Sequence, residues 1–234
     1  MSWQEERAAR RIRLLLESAP EVSIQVTDFG SYMSERFDLR ETARRRGETF
    51  SEPIFAVPHS RAITTHGSHI YANLMDFNDV LIENDRETEA SHRKAYEFLH
   101  AQYAACDQLI AAFDIQRVDF HGSRLHAVVL TPSGDNNERL RLEKAVSFAA
   151  AYRVMVARLG EDYGNDFRTR VRIGIDTGAA VAINSGNRDE PEPLFIGSPA
   201  NHAAKLAEGD VAGIFLSPRA QRVRSGLTES VGTE

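Results

Sequence analysis

Two long stretches of helical periodicity, each set between strand-like runs, constrain this chain more than any other feature. Between Thr88 and Phe113, the residues Tyr96, Leu99, Tyr103, Cys106 and Ile110 recur at spacings of three and four, which predicts a core-facing helix. A second such stretch runs from Leu140 to Leu159 and stops at Gly160. Ahead of the first helix, Ser68 to Leu74 concentrates Ile70, Tyr71 and Leu74 and predicts a buried strand. Between the helices, Ile115 to His121 and Arg124 to Leu130 are separated by Gly122-Ser123, a pair suited to a tight hairpin. After the second helix, Arg170 to Ile175 and Ala179 to Ile183 predict a strand pair around Asp176-Thr177-Gly178. Leu194 to Ile196 is a short apolar run, and Pro199 opens a helix through Leu206. The order βαββαβ is the split pattern of a ferredoxin-like α+β domain, in which two helices cover one face of a mainly antiparallel sheet. The opposite face is left for a ligand or a partner.

The ends are less regular. Glu5 to Ser18 predicts an N-terminal helix that stops at Ala19-Pro20, and Val22 to Ser60, with Pro53, Pro58 and the basic run Arg44 to Arg46, reads as an irregular lead-in. The expected organisation is therefore a lead-in over 1–60, a catalytic domain over 61–225 and a flexible tail over 226–234. With 234 residues and 42% hydrophobic composition, the chain has material for one substantial core. A net charge of -6 gives no general attraction to nucleic acid. The single cysteine, Cys106, lies in the apolar pattern of a helix and excludes a disulfide framework. No stretch reaches the roughly 20 apolar residues that span a bilayer, so the expectation is a cytoplasmic protein without a membrane span.

Three segments carry chemistry-bearing residues. They are His69-Ile70-Tyr71-Ala72-Asn73-Leu74-Met75-Asp76-Phe77, Val118-Asp119-Phe120-His121-Gly122-Ser123-Arg124-Leu125, and Leu194 through Gly197 and Asn201 to Lys205-Leu206. Together they resemble the catalytic domain of the class III nucleotidyl cyclases, and the third segment is most like the pyrimidine-specific bacterial branch that acts in phage defence. The resemblance implies that UTP, favoured over CTP, is converted to a cyclic nucleotide and pyrophosphate, with Mn2+ or Mg2+ as cofactor. It also implies a homodimer with composite active sites and a downstream effector that answers to the product.

Carried onto this chain, the resemblance puts Asn73 where the family has a metal-binding aspartate, with the Leu74 carbonyl beside it. Asp119 is the preferred remaining carboxylate ligand, on a strand expected to lie next to that of Asn73, and Asp76 is in reserve. Hard oxygen ligands are what such an ion requires. The commoner arrangement has the second aspartate at the hairpin tip, where Ser123 stands here. Asn201 is expected to orient the ribose, and Lys205, four residues on, to neutralise charge at the phosphate where the family commonly has arginine. Backbone N–H groups from Met75 through Phe77 to Asn78 are expected at the outer phosphates. Leu194 replaces the acidic base reader of purine cyclases, and Ile63 or Arg61 is expected to line the smaller base pocket. An amide at position 73 keeps the shape of aspartate but not its charge, so the same residues also fit an inactive cyclase homology domain that holds a nucleotide or a partner.

Other motifs carry less. His121 and His126 flank the hairpin without the spacing of a zinc site, Gly174, Gly178 and Gly186 lack a phosphate-loop pattern, and Ser123 has no triad partners in the sequence.

Overall fold

The computed structural model describes residues 3–17, 24–46, 57–58, 61–83, 85–163, 169–184 and 193–226. In chain order these form α1 (Trp3–Glu17), β1 (Gln25–Asp28), α2 (Phe29–Arg45), β2 (Arg61–Met75), a 3-10 turn (Phe77–Leu81), β3 (Ile82–Glu83) and β4 (Arg86–Glu87). There follow α3 (Glu89–Ala112), β5 (Gln116–His121), β6 (Arg124–Val129), α4 (Glu138–Asp162), β7 (Arg170–Asn184), β8 (Pro193–Ile196), α5 (Ser198–Leu206), β9 (Gly213–Leu216) and α6 (Pro218–Ser225).

The main sheet runs β5-β6-β2-β7-β8, with β1 added parallel to β2 and β9 parallel to β7. Alternation along the strands sorts its faces. Ile70, Ala72 and Leu74 of β2, Leu125, Ala127 and Val129 of β6, and Val171, Ile173 and Ile175 of β7 join one core with Phe98 of α3 and Phe148 and Tyr152 of α4. This is the ferredoxin-like α+β arrangement expected from the sequence. The helix α3 starts at a capping box in which Thr88 and Ser91 satisfy each other's backbone N–H at 3.0 Å. On α4, Leu142, Ala145, Phe148, Ala149, Tyr152 and Val156 repeat at three and four and are all buried. Truncating an aromatic anchor such as Phe148 costs about 3–5 kcal/mol in a core of this kind. Cys106 is buried in the same core, and its burial pushes the thiol up to about 12.

Three expectations are corrected. The two strands expected around Asp176-Thr177-Gly178 are one strand, because β7 stays in register with β2 through Thr177↔Ser68 and Gly178↔Gly67. Turn-forming residues remain extended there because their polar groups are satisfied inside: Ser68 Oγ bonds Thr177 Oγ1 at 3.1 Å, and Thr177 N donates to Asp176 Oδ1 at 2.8 Å. The region expected to be an irregular lead-in contains β1, which lengthens the sheet, and α2, which is capped by Asp28 accepting from Ser31 N at 3.0 Å. Phe29 and Tyr32 of α2 enter a second core with Ile63, Val128, Leu130, Ala182 and Phe195, so the sheet's other face is partly covered. Beyond α5, the chain adds β9 and α6, which the sequence pattern does not predict. The segments 185–192 and 227–234, expected as a polar loop and a tail, lie outside the described residues. Among the described residues, no helix is long and apolar enough to cross a membrane.

One irregularity decides which way Asp119 faces. The β5–β6 register shifts between Arg117 and Asp119, leaving Val118 as a bulge. Arg117 pairs with Ala127 on the helix-covered face, while Asp119 pairs with His126 and is turned to the other face.

Candidate active site

Asn73 lies on the face of the sheet away from α3 and α4, opposite Arg124 of β6 and Arg172 of β7. The tip of the β5–β6 hairpin folds against it, with Leu74 N donating to the Ser123 carbonyl at 3.0 Å. The two positions at which the resemblance expects metal carboxylates are therefore adjacent, and both carry neutral side chains.

Asp119 does not lie on the strand next to Asn73, as expected from the sequence. β6 separates β5 from β2, so two strand spacings, about 10 Å, lie between them. Asp76 has a left-handed φ of 59° and is clamped by Arg170, Nε at 2.8 Å and Nη2 at 3.2 Å from its two oxygens. This guanidinium holds its carboxyl below the usual range. Leu74 is buried in the core with its side chain away from this face. Among the described residues, no group of three or more His, Cys, Asp or Glu is placed to hold a metal ion. A divalent cation wants several hard anionic oxygens, and the described residues of this chain do not fit one.

The helix α5 carries Asn201 and Lys205 on one exposed face, and no hydrogen bond or ion pair holds either side chain among the described residues. The helix sits unusually close to the sheet. A Cβ on Gly174 of β7 would fall 2.0 Å from the Ala203 carbonyl oxygen, and Pro199, Ala200 and Ala203 of the helix and its C-cap Ala207 are buried. His202 Nδ1 lies 3.0 Å from Oδ2 of the buried Asp176, whose other oxygen accepts from Ser217 Oγ, the N-cap of α6. Asp176 thus ties α5 and the start of α6 to the strand, a role hidden in the sequence because Asp-Thr-Gly reads as a turn.

A groove of about 570 Å³ opens on the same face as Asn73. Its lining includes Tyr71, Asp119, His121, Arg124, His126 and Leu194. Tyr71 stacks on His126 with ring centroids 4.1 Å apart, and Phe195 meets His69 edge-on at 5.2 Å. His69 Nδ1 and His126 Nε2 are 3.2 Å apart in a buried pair. Burial pushes His69 down to about 4, and burial with the neighbouring His69 pushes His126 down to about 3. Both rings are neutral near pH 7 and add no charge to the groove, which Asp119, His121 and Arg124 also line.

The residues expected around the nucleotide separate into two groups. Leu194 lines the groove. Ile63 is fully buried in the second core, and Arg61 is held by Glu35 at 2.7 and 3.1 Å, so neither faces the groove. Burial follows from β2 beginning at Arg61, seven residues earlier than the sequence pattern suggests. Met75 ends β2 opposite Arg170 and is buried, and the side chain of Phe77 joins the helix-covered core. Asn78 is exposed in the 3-10 turn beyond them.

The domain family described as adenylate and guanylate cyclase catalytic domain matches residues 68–230. A uridylate cyclase from a Rhizobium species is 47% identical over 224 residues, covering 95% of this chain and 43% of that protein. A uridylate cyclase from Pseudomonas aeruginosa is 34% identical over 232 residues, 98% of this chain and 41% of that protein. Among solved structures, a class III adenylyl cyclase-like ATP-binding protein from Pseudomonas aeruginosa superposes with a TM-score of 0.73 at 32% identity, over 98% of this chain and 45% of that one. The adenylyl cyclase CyaB of the same organism gives 0.60 at 18% identity, over 71% and 83% of the two chains, a likeness of fold. The chain spans less than half the length of the curated relatives it matches.

Proposed function

The chain belongs to the adenylate and guanylate cyclase catalytic domain family, and on that premise we propose that it is the nucleotide-gripping half of a pyrimidine nucleotide cyclase. The reaction closes UTP, or CTP, on itself. The ribose 3′-oxygen forms a bond to the α-phosphorus, the bond to the β-phosphate bridging oxygen breaks, pyrophosphate departs and the hydroxyl proton passes to solvent. Class III cyclase domains use divalent ions, and those ions supply charge neutralisation for such a displacement.

The observation that carries this reading is a contrast within one chain: Asn73 and the adjacent Ser123 are uncharged, whereas Asn201 and Lys205 stand together on α5 without partners among the described residues. Asn201 orients the ribose by hydrogen bonding. Lys205 places a compact ammonium against the charge that builds on the phosphoryl oxygens, without the two-pronged grip of a guanidinium. The metal-binding carboxylates come from a second cyclase domain of different sequence. Two identical copies, the homodimer implied by the resemblance, would bring Asn73 and Ser123 to both composite sites. The relatives' greater length leaves room for such a domain in the same polypeptide. Cyclic UMP as product, and an effector in phage defence that answers to it, belong to this reading on the strength of the resemblance.

Complementation tests it. The triple variant Asn73→Asp/Ser123→Asp/Asn201→Ala supplies carboxylates but lacks Asn201, and the unmodified chain has the reverse. With UTP and Mn2+, each alone is expected to form no cyclic UMP and the mixture to form it, with turnover falling roughly 100-fold when the unmodified chain also carries Asn201→Ala. Cyclic UMP from the unmodified chain alone would overturn the division of labour. A silent mixture in which UTP still raises the melting temperature would favour the second reading, a cyclase homology domain that only holds nucleotide; no shift with any nucleoside triphosphate would remove both.

A further inference from the structure

We propose that His202, anchored by the buried Asp176, is a positioning residue: it sets the rotation of α5 about its own axis and so the aim of Asn201 and Lys205. The inference rests on the nucleotide reading above, in which those two side chains meet the ribose and the phosphate.

The face of α5 that meets the sheet is too smooth to set that rotation by packing. It consists of Pro199, Ala200 and Ala203, with the C-cap Ala207 beyond, and it rests on Gly174 of β7. Short side chains over a glycine bring helix and strand close but offer no ridge to seat in a groove. Directional bonds take over that task. At the C-terminal end, Arg172 Nε donates to the Leu206 carbonyl at 2.8 Å and its Nη1 to the Val211 carbonyl at 2.7 Å. At the N-terminal end the cap residue, Gly197, has no side chain to offer, and the tie is His202 Nδ1 donating to Asp176 Oδ2 at 3.0 Å.

The anchor cannot turn to follow a moving helix. Asp176 is 2% exposed, and its other oxygen accepts from Thr177 N at 2.8 Å and from Ser217 Oγ, which in turn accepts from Ala220 N at 3.0 Å. A carboxylate held on one oxygen by two elements presents the other in a fixed direction. The His202 side chain, by contrast, is 57% exposed, and this is the one bond its ring makes among the described residues. His202 follows Asn201 directly, and Lys205 lies three residues on. With side chains about 5–6 Å from the helix axis, a rotation of roughly 10° carries their ends about 1 Å sideways. A displacement of that size costs up to about 100-fold in rate where a group must meet a reacting centre. The bond thus acts on the chemistry through Asn201 and Lys205 and touches no substrate itself.

The complementation mixture separates aim from fold. His202→Leu removes the donor, whereas His202→Asn keeps an N–H at the reach of Nδ1 from the backbone. Each substitution is placed either in the otherwise unmodified chain, which supplies Asn201, or in the triple variant, which supplies carboxylates and lacks Asn201. With UTP and Mn2+, His202→Leu in the first partner is expected to lower kcat roughly 10-fold with KM within about 3-fold, and His202→Asn to recover most of the loss. In the second partner His202→Leu is expected to change kcat by less than about 2-fold, because α5 of that partner serves no productive site. An equal loss from either partner would mean that the bond only supports the fold, and overturns the assignment. So does no loss from either, or an Asn variant as slow as the Leu variant. A parent mixture that forms no cyclic UMP would instead sink the nucleotide reading on which the proposal stands.

Discussion

Replacing Gly174 by alanine is expected to unseat α5 and lower the melting temperature by roughly 6–12 °C. A Cβ there would lie 2.0 Å from the Ala203 carbonyl oxygen and 2.7 Å from the Ala207 nitrogen. Those are backbone atoms on both sides of the contact, so no rotamer change relieves the overlap and the helix must lift from β7. Overpacking of this sort costs typically 1–3 kcal/mol, and roughly 3 or more where backbone has to move. Gly67→Ala is the internal control. Its Cβ would meet Leu130 Cδ2 and Val128 Cγ2 at 2.9 Å, side-chain atoms, and backbone only at the Val129 carbonyl oxygen at 3.2 Å, so a smaller loss is expected. Thermal unfolding followed by circular dichroism reads both variants. A Gly174→Ala protein melting within about 2 °C of the parent would show that α5 is not seated as described. The variant should also lose any UTP-induced rise in melting temperature, because Asn201 and Lys205 ride on that helix.

Acidification from pH 7 to pH 5 is the second large effect expected. His69 and His126 titrate near 6.5 when unfolded but are pushed to about 4 and about 3 in the fold, chiefly by burial. Between those values the unfolded chain binds protons that the folded chain does not, so stability falls as pH falls. The contribution is complete above pH 6.5 and is lost progressively on the way down to the folded values. Each unit of difference corresponds to 1.36 kcal/mol, so about 2–4 kcal/mol disappears by pH 5 for the pair. That is a large part of a typical folding free energy of about 5–15 kcal/mol. Exposed carboxylates such as Asp76 have lowered values in the fold and lose their small contribution below the ordinary carboxylate range, a separate and more acidic window. Denaturant titrations at the two pH values measure the loss, and His69→Leu/His126→Phe should flatten it. A parent protein equally stable at pH 7 and pH 5 would contradict the buried neutral pair.

Periodicity made the helices and most of the sheet legible, because α3 and α4 bury regular stripes against it and β5 and β6 are joined by a Gly-containing turn. It failed where tertiary pairing overrides local preference. Asp176-Thr177-Gly178 has the composition of a turn, yet pairing along β2 and three hydrogen bonds to Asp176 keep it inside a strand. The short β1 has only four residues and exposed Val26, so its membership in the sheet leaves almost no pattern in the sequence. The candidate site was legible by residue type at Asn201, Lys205 and Leu194. For Asp119 the type was visible and the place was not. Two strands separated by a third look adjacent in a linear reading, and a one-residue bulge leaves no compositional mark beyond Val118 itself.

Val118 is one residue more than the pairing of this strand needs, and it lets Arg117 face the helices while Asp119, two positions on, faces the other side. Removing that one residue would restore regular pairing, Arg117 opposite Ala127 and Asp119 still opposite His126, so the acid would keep its side of the sheet while the cleft lost the valine that helps to line it. A codon lost there therefore changes the twist and packing of the strand and spares the facing of its acid, whereas one lost between Asp119 and the hairpin would turn that acid over.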